Sequence, residues 1–302
     1  VLFFCRSFTR GFQQDAEKAK EGKVITRGKS ILALIASLVM VACGPAPELG
    51  DIMESSDQAL TGIIGGKDIA ANESPAQTTV VLYDTAAKNV ACTGSLIGNN
   101  LVLTAAHCLQ RDPTKILVIF STNLQRANME MARSVVGAMI NNSWLSNRAL
   151  AKDTGDIALV KYQGTTPAGY KAATILPSAA ALRDKSTIVI AGYGMTDATK
   201  RTGSGTLRQA ATTIASTKFS SSEIMVEQRI GRGACHGDSG GPAFLYSNGV
   251  YYLWGITSRG YADAKSECRS FSIYTNILYY MKWLQETARA LMLKNQFNFT
   301  FS

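Results

Sequence analysis

The stretch Gly231-Arg-Gly-Ala-Cys-His-Gly-Asp-Ser-Gly-Gly-Pro242 constrains this chain more than any other. One serine, Ser239, sits in Gly237-Asp238-Ser239-Gly240-Gly241-Pro242, among three glycines and a proline. Glycine reaches backbone dihedrals that other residues avoid and proline fixes its own φ, so the segment takes a tight, unusual path. A surface turn that happens to hold a serine would have the same composition. The two readings separate on whether the rest of the chain supplies a partner for the hydroxyl.

It does. A serine nucleophile needs a base that titrates near neutrality, and the 302 residues contain only two histidines, His107 and His236. Leu101-Val-Leu-Thr-Ala-Ala-His-Cys108 reads as a buried strand running into a tight helical turn that carries His107. Thr154-Gly-Asp-Ile-Ala-Leu-Val-Lys161 places Asp156 at the mouth of an apolar strand, where a carboxylate can orient an imidazole. The order His107, Asp156, Ser239 is one of the known triad orders.

Taken together, Thr-Ala-Ala-His-Cys, Asp-Ile-Ala-Leu and Gly-Asp-Ser-Gly-Gly-Pro resemble the trypsin/chymotrypsin family of serine endopeptidases, over about Ile63 to Leu293. The resemblance implies two six-stranded antiparallel β-barrels with the triad in the cleft between them. It also implies an oxyanion hole from the N–H groups of Gly237 and Ser239, and Ser258 beside the triad aspartate at the start of a substrate-pairing strand. His236 falls on the rim. The pocket floor falls at Gly233, where trypsin-like members carry an aspartate to neutralise a buried Lys or Arg of the substrate. Here it is neutral, with Ala234 beside it, Gly260 and Ser272 as walls and Tyr274 behind. The expected preference is for small to medium apolar residues, elastase- or chymotrypsin-like. Arg259 replaces the usual tryptophan after Ser258 and is expected to favour acidic residues in the adjoining subsite.

Independently of the resemblance, the body of the chain is a string of short β-like runs between turn signals. They include Thr78–Tyr83, Ile116–Phe120, Ile157–Val160, Thr187–Ala191, Val250–Gly255 and Phe271–Tyr274. Such spacing argues for an all-β barrel or sandwich. Ile277, Met281, Leu284, Ala288 and Leu291 recur at helical spacing and predict one amphipathic C-terminal helix. In the tail, residues 294–302, the stretch Phe297-Asn-Phe-Thr-Phe-Ser302 alternates with period two and reads as a frayed end or an added edge strand.

The first 43 residues do not read as part of that body. Ile31–Cys43 is a continuous apolar run behind the basic segment Lys23–Lys29, the layout of a secretion signal. Its end, Met40-Val-Ala-Cys43, resembles a bacterial lipoprotein lipobox, in which Cys43 is lipidated. A translation start near Val24 would suit that layout. Export is therefore expected, either to the cell envelope, with anchorage through lipidated Cys43, or as a secreted protein. Residues 44–62 read as a spacer or propeptide without Lys or Arg. Ile63-Ile-Gly-Gly66 resembles the family's mature N-terminus, whose freed ammonium pairs with the aspartate before the nucleophile, here Asp238.

Four cysteines remain in the body, and counting alone allows three pairings. The resemblance implies Cys92–Cys108 and Cys235–Cys268. A zinc site is the competing use of four cysteines, but no Cys-x-x-Cys pair is present. No metal and no cofactor are expected.

The net charge of +9 lies wholly in residues 63–302, which hold 24 basic and 15 acidic side chains. Those basic residues are scattered rather than clustered with aromatics, so solubility explains them better than nucleic-acid binding does. The expected partners are polypeptide substrates, met by a monomer. Two other readings compete: a catalytically silent relative that serves as a binding module, and an esterase of another fold. The first usually lacks one of the three residues present here. The second is disfavoured because the serine motif lacks the Gly-x-Ser-x-Gly order.

Overall fold

The computed structural model describes residues 63–110, 112–261 and 268–293. The expected signal segment with Cys43, the spacer 44–62 and the tail 294–302 lie outside the described residues. After the short strand β1 (Lys67–Asp68) come β2 (Thr79–Asp84), β3 (Asn89–Gly98), β4 (Leu101–Thr104), β5 (Ile116–Ile119), β6 (Ala132–Ile140) and β7 (Ala158–Tyr162). Strands β2 to β7 close into an antiparallel barrel in the order β2-β3-β4-β7-β6-β5. The strand β8 (Thr174–Ile175) then leads to β9 (Thr187–Gly192), β10 (Arg208–Ser216), β11 (Glu223–Glu227), β12 (Pro242–Ser247), β13 (Val250–Tyr261) and β14 (Phe271–Asn276). These last six form the second barrel, β10-β11-β14-β13-β12-β9, which closes through the β9–β10 pairing. β1 adds to β10, and β8 adds to β13 in parallel.

The strands nearest the site are apolar on both faces because both faces are buried. Successive strand residues point to opposite sides. Along β4, Val102 packs inside the first barrel with Val80, Leu96, Val118 and Val160. Leu101 and Leu103 point the other way, into a cluster shared with Val189, Ala191, Phe244 and Ile256 of the second barrel. β7 repeats the pattern, with Ala158 and Val160 inside and Leu159 facing across. In β9, Ile188 and Ile190 fill the second barrel while Val189 and Ala191 face the first. The three loops that carry the candidate site residues join strands anchored in this shared core.

The C-terminal helix spans Met281–Leu293 and buries Leu284, Thr287 and Leu291. Lys161 Nζ on β7 donates to Leu291 O at 2.8 Å, fastening the helix end to the first barrel. Ile277 is fully buried but precedes the helix, in the turn that leaves β14. No helix among the described residues is long and apolar enough to cross a membrane.

Candidate active site

β4 ends at Thr104, and the chain turns at once into a short 3-10 helix, Ala106–Leu109, that carries His107. The Cys92–Cys108 disulfide binds this turn to β3. Asp156 sits just before β7 in the tight turn Thr154–Asp156, with Gly155 at φ +71°. A Cβ at Gly155 would lie 2.8 Å from the Ser143 Cβ, so both conformation and space demand glycine. The carboxylate is 1% exposed. Its Oδ1 accepts the His107 backbone N–H at 3.0 Å, and its Oδ2 lies 2.8 Å from His107 Nδ1. Ser258 Oγ donates to the same Oδ2 at 2.6 Å, and Thr275 Oγ1 donates to Asp156 O at 2.9 Å. A carboxylate only accepts, so Nδ1 carries the proton and Nε2 is left as the basic atom. Burial pulls the His107 pKa down, but the Asp156 charge and hydrogen bond outweigh it, and the pKa is raised above the ordinary 6.5.

The Ser239 loop threads between the barrels. Ser239 O accepts the Thr93 N–H of β3 at 2.9 Å, while the Gly240 N–H donates to Thr257 O of β13 at 2.7 Å. Cys108 Sγ, next to His107, lies 3.8 Å from Ser239 O. The Cys235–Cys268 disulfide closes the start of the loop. Among the described residues, two groupings of ligand-type side chains occur, Cys92-His107-Cys108 and Cys235-His236-Cys268. Each is built on one of these disulfides, whose sulfurs are no longer thiolate ligands.

Two carbonyls set the direction of the neighbouring amides. His236 O accepts the Met195 N–H at 2.8 Å, and Asp238 O accepts the Gly241 N–H at 2.9 Å. In a trans peptide the N–H points opposite to its carbonyl, so Gly237 N–H and Ser239 N–H are turned away from those partners. Gly237 takes φ +96°, and Thr93 Oγ1 donates to its carbonyl at 2.9 Å. This geometry leaves two donors beside the serine that can serve a developing oxyanion.

Gly260 and Ser272 are paired in register on the adjacent strands β13 and β14. Gly233 bridges to Ile64 and carries no side chain. The space a side chain would take there is occupied by Gln228, whose Oε1 would lie 2.7 Å from a Cβ at Gly233. Gln228 Oε1 accepts the Ala234 N–H at 2.9 Å, and the residue is 2% exposed. The sequence motifs did not point to Gln228, since nothing local marks it. His236 is exposed. Arg259 departs from its expected role. Its guanidinium is paired bidentately with buried Glu223, at 2.7 and 2.8 Å, and is not a free cation for acidic substrate residues.

Asp238 is completely buried, its carboxyl accepting from Cys235 N and Gly194 N, each at 2.8 Å. Burial raises its pKa to about 7, against the pull of those two bonds and the Arg208 charge. Ile63 is 1% exposed in the core of the second barrel, and its neighbour Ile64 pairs with Gly233, five residues before Asp238.

The profile of the family described as Trypsin matches residues 63–284. The chain belongs to the trypsin family. It is a serine endopeptidase. Among its relatives is the chymotrypsin-like elastase family member 1 of Felis catus, 30% identical over 236 residues, covering 74% of this chain and 88% of the relative. The protein of the same name from Macaca fascicularis is 29% identical over 239 residues, covering 74% and 89%. The human one is 29% identical over 236 residues, covering 74% and 90%.

Proposed function

We propose that His107, Asp156 and Ser239 form the catalytic triad of this endopeptidase. The observation that carries the reading is the doubly bonded His107–Asp156 contact, with an imidazole whose pKa is raised. Ser239 Oγ attacks the peptide carbonyl while His107 Nε2 takes its proton. The same proton then passes to the leaving amine, and water repeats the sequence on the acyl-enzyme. Asp156 holds the Nδ1–H tautomer and stabilises the imidazolium, and Gly237 and Ser239 N–H receive the oxyanion. Losing one such donor costs about 3 kcal/mol of barrier.

The pocket reading is a preference for small to medium apolar residues. Gly233 is uncharged, and the adjacent space is filled by the neutral Gln228 amide. A buried substrate ammonium or guanidinium there would lack a counter-charge. The elastase names of the relatives agree with this preference. The protein is further read as an exported monomer, secreted or held at the envelope through lipidated Cys43, with a protease domain over 63–293 that is activated by cleavage before Ile63.

Purified wild-type and Ser239→Ala proteins, given an active-site fluorophosphonate and peptide p-nitroanilides, test the triad. Labelling and turnover by wild type alone are expected. Comparable peptide hydrolysis by Ser239→Ala would overturn the assignment. A wild type that neither labels nor turns over would favour the binding-module reading.

A further inference from the structure

The turn that carries Asp156 is held from the opposite barrel. Asp153, at φ +54°, and Gly155, at φ +71°, both take left-handed conformations, so the turn needs support from outside itself. Glu223, the first residue of β11, supplies it. Glu223 Oε2 accepts the Asp153 N–H at 3.0 Å, and Oε1 accepts Thr154 N–H at 3.2 Å and Thr154 Oγ1–H at 2.8 Å. Asp153 Oδ1 in turn receives Ser222 N–H at 3.0 Å and Ser222 Oγ–H at 2.7 Å.

The Glu223 side chain is 1% exposed, and a buried carboxylate in that position requires a cation. Arg259 provides it through both terminal nitrogens, and Nη2 also donates to Ala151 O at 2.9 Å. Arg259 Nη1 further lies 3.3 Å from Ser258 Oγ. A guanidinium can only donate, so it takes a lone pair of that hydroxyl and leaves the Ser258 proton for Asp156 Oδ2. The Glu223–Arg259 pair therefore reaches Asp156 twice, through the backbone of its turn and through the hydroxyl that caps its carboxylate.

We infer that Glu223 and Arg259 are positioning residues of the peptidase, a buried carboxylate held by a partly exposed guanidinium that together fix the orientation of Asp156 towards His107. The inference rests on reading His107, Asp156 and Ser239 as the triad. A pair with one buried and one partly exposed partner contributes little net stability, so geometric control is the better explanation for keeping one here.

The test is an NMR titration of the imidazoles in the 302-residue chain, in which only His107 and His236 contribute. It is run alongside kcat and KM on a peptide substrate. Glu223→Gln and Arg259→Met should each move the His107 midpoint to lower pH. They should also reduce kcat about tenfold or more with KM nearly unchanged, as expected for a misaligned group that does not bind substrate. Arg259→Lys, which keeps the charge but not the two-nitrogen contact, should restore the midpoint only in part. If a single variant does not fold, the neutral double variant Glu223→Gln/Arg259→Gln retains hydrogen-bonding capacity at both positions and takes its place. Folded variants with a wild-type His107 midpoint and kcat would overturn the inference. The titration needs no turnover, so it reads the positioning contact separately from the wild-type fluorophosphonate labelling that tests the triad.

Discussion

Gln228 and Ala234 are joined by a 2.9 Å hydrogen bond from the Ala234 N–H to Gln228 Oε1, and this bond lays the Gln228 amide against Gly233. The floor of the candidate pocket is thus shaped by a side chain six residues away from the amide it holds. The obvious route to a trypsin-like specificity, an aspartate at the floor, runs into that side chain.

Gly233→Asp is accordingly expected to fail as a specificity switch. Its Cβ would lie 2.7 Å from Gln228 Oε1, forcing Gln228 aside and stranding the buried Ala234 amide. Leaving such a donor unpaired costs about 1–3 kcal/mol. The single variant should melt at lower temperature and gain no Arg cleavage, whereas Gly233→Asp/Gln228→Gly makes room and should gain it. Rapid Arg hydrolysis by a single variant with wild-type Tm would show that Gln228 does not fill the floor.

The wall at Gly260 offers the opposite experiment. Among the described residues, no atom beyond its chain neighbours lies within 4 Å of a Cβ built there, so a larger residue is expected to leave the fold undisturbed. If Gly260 lines the specificity pocket, Gly260→Val should leave Tm unchanged while narrowing the cavity. The kcat/KM ratio for Phe over Ala substrates should fall about tenfold or more, as for other small volume changes in apolar pockets. An unchanged ratio would place the pocket elsewhere.

The three motif segments are legible in the sequence because their chemistry requires particular residues at fixed local spacing, as the Gly155 and Gly237 turns illustrate. Strands such as Leu101–Thr104 are legible because both faces are buried and the apolar run is continuous. Arg208–Ser216, with Arg, Gln, Ala and Thr, announces itself less, since its place in the barrel rests on partners far away in sequence. The same limit hides the Glu223–Arg259 pair. Its contacts span 36 residues to Arg259 and 69 to Thr154, and an isolated arginine in sequence reads as a free cation. Long-range pairing of polar side chains leaves no periodicity to detect.

The pH–activity curve should report the His107–Asp156 contact. Ser239 can lose its proton only to a neutral imidazole, and the His107 pKa is raised, so the acid limb of kcat/KM should have its midpoint above 6.5. The proton bound more tightly in the fold also stabilises it below pH 6.5, and that contribution is lost as pH rises through the folded-state pKa. Asp156→Asn removes the raising influence and leaves burial, so the limb should move to lower pH. Turnover should drop on the order of 10⁴-fold, as in a related triad, because the amide favours the wrong tautomer. A limb that does not move would separate Asp156 from His107 in function.

Cleavage before Ile63 should relieve the burial of the Asp238 carboxyl. Among the described residues no salt bridge reaches this carboxyl, and its pKa of about 7 means the fold disfavours its charged form. A carboxyl with a raised folded-state pKa binds its proton more tightly in the fold than in the unfolded chain. Precursor stability should therefore fall as pH climbs from about 4 towards 7, by an amount on the order of a few kcal/mol. An ammonium freed at Ile63 would pair with Asp238, pull its pKa down and remove that dependence. The bond before Ile63 follows Ala59-Leu60-Thr61-Gly62, and no Lys or Arg lies between Cys43 and the bond, so a trypsin-like activator finds no cleavage signal. The neutral pocket proposed above accepts such small residues, which makes this enzyme its own candidate activator. Wild-type and Ser239→Ala precursors, incubated alone and then sequenced from the N-terminus, should give Ile-Ile-Gly-Gly from wild type only. The Ser239→Ala precursor should keep a melting temperature that falls from pH 4 to pH 7, and processed wild type should not. Processing of both preparations would assign the cleavage to another protease. A pH-independent melting temperature for the precursor would mean that Asp238 already has its counter-charge before cleavage.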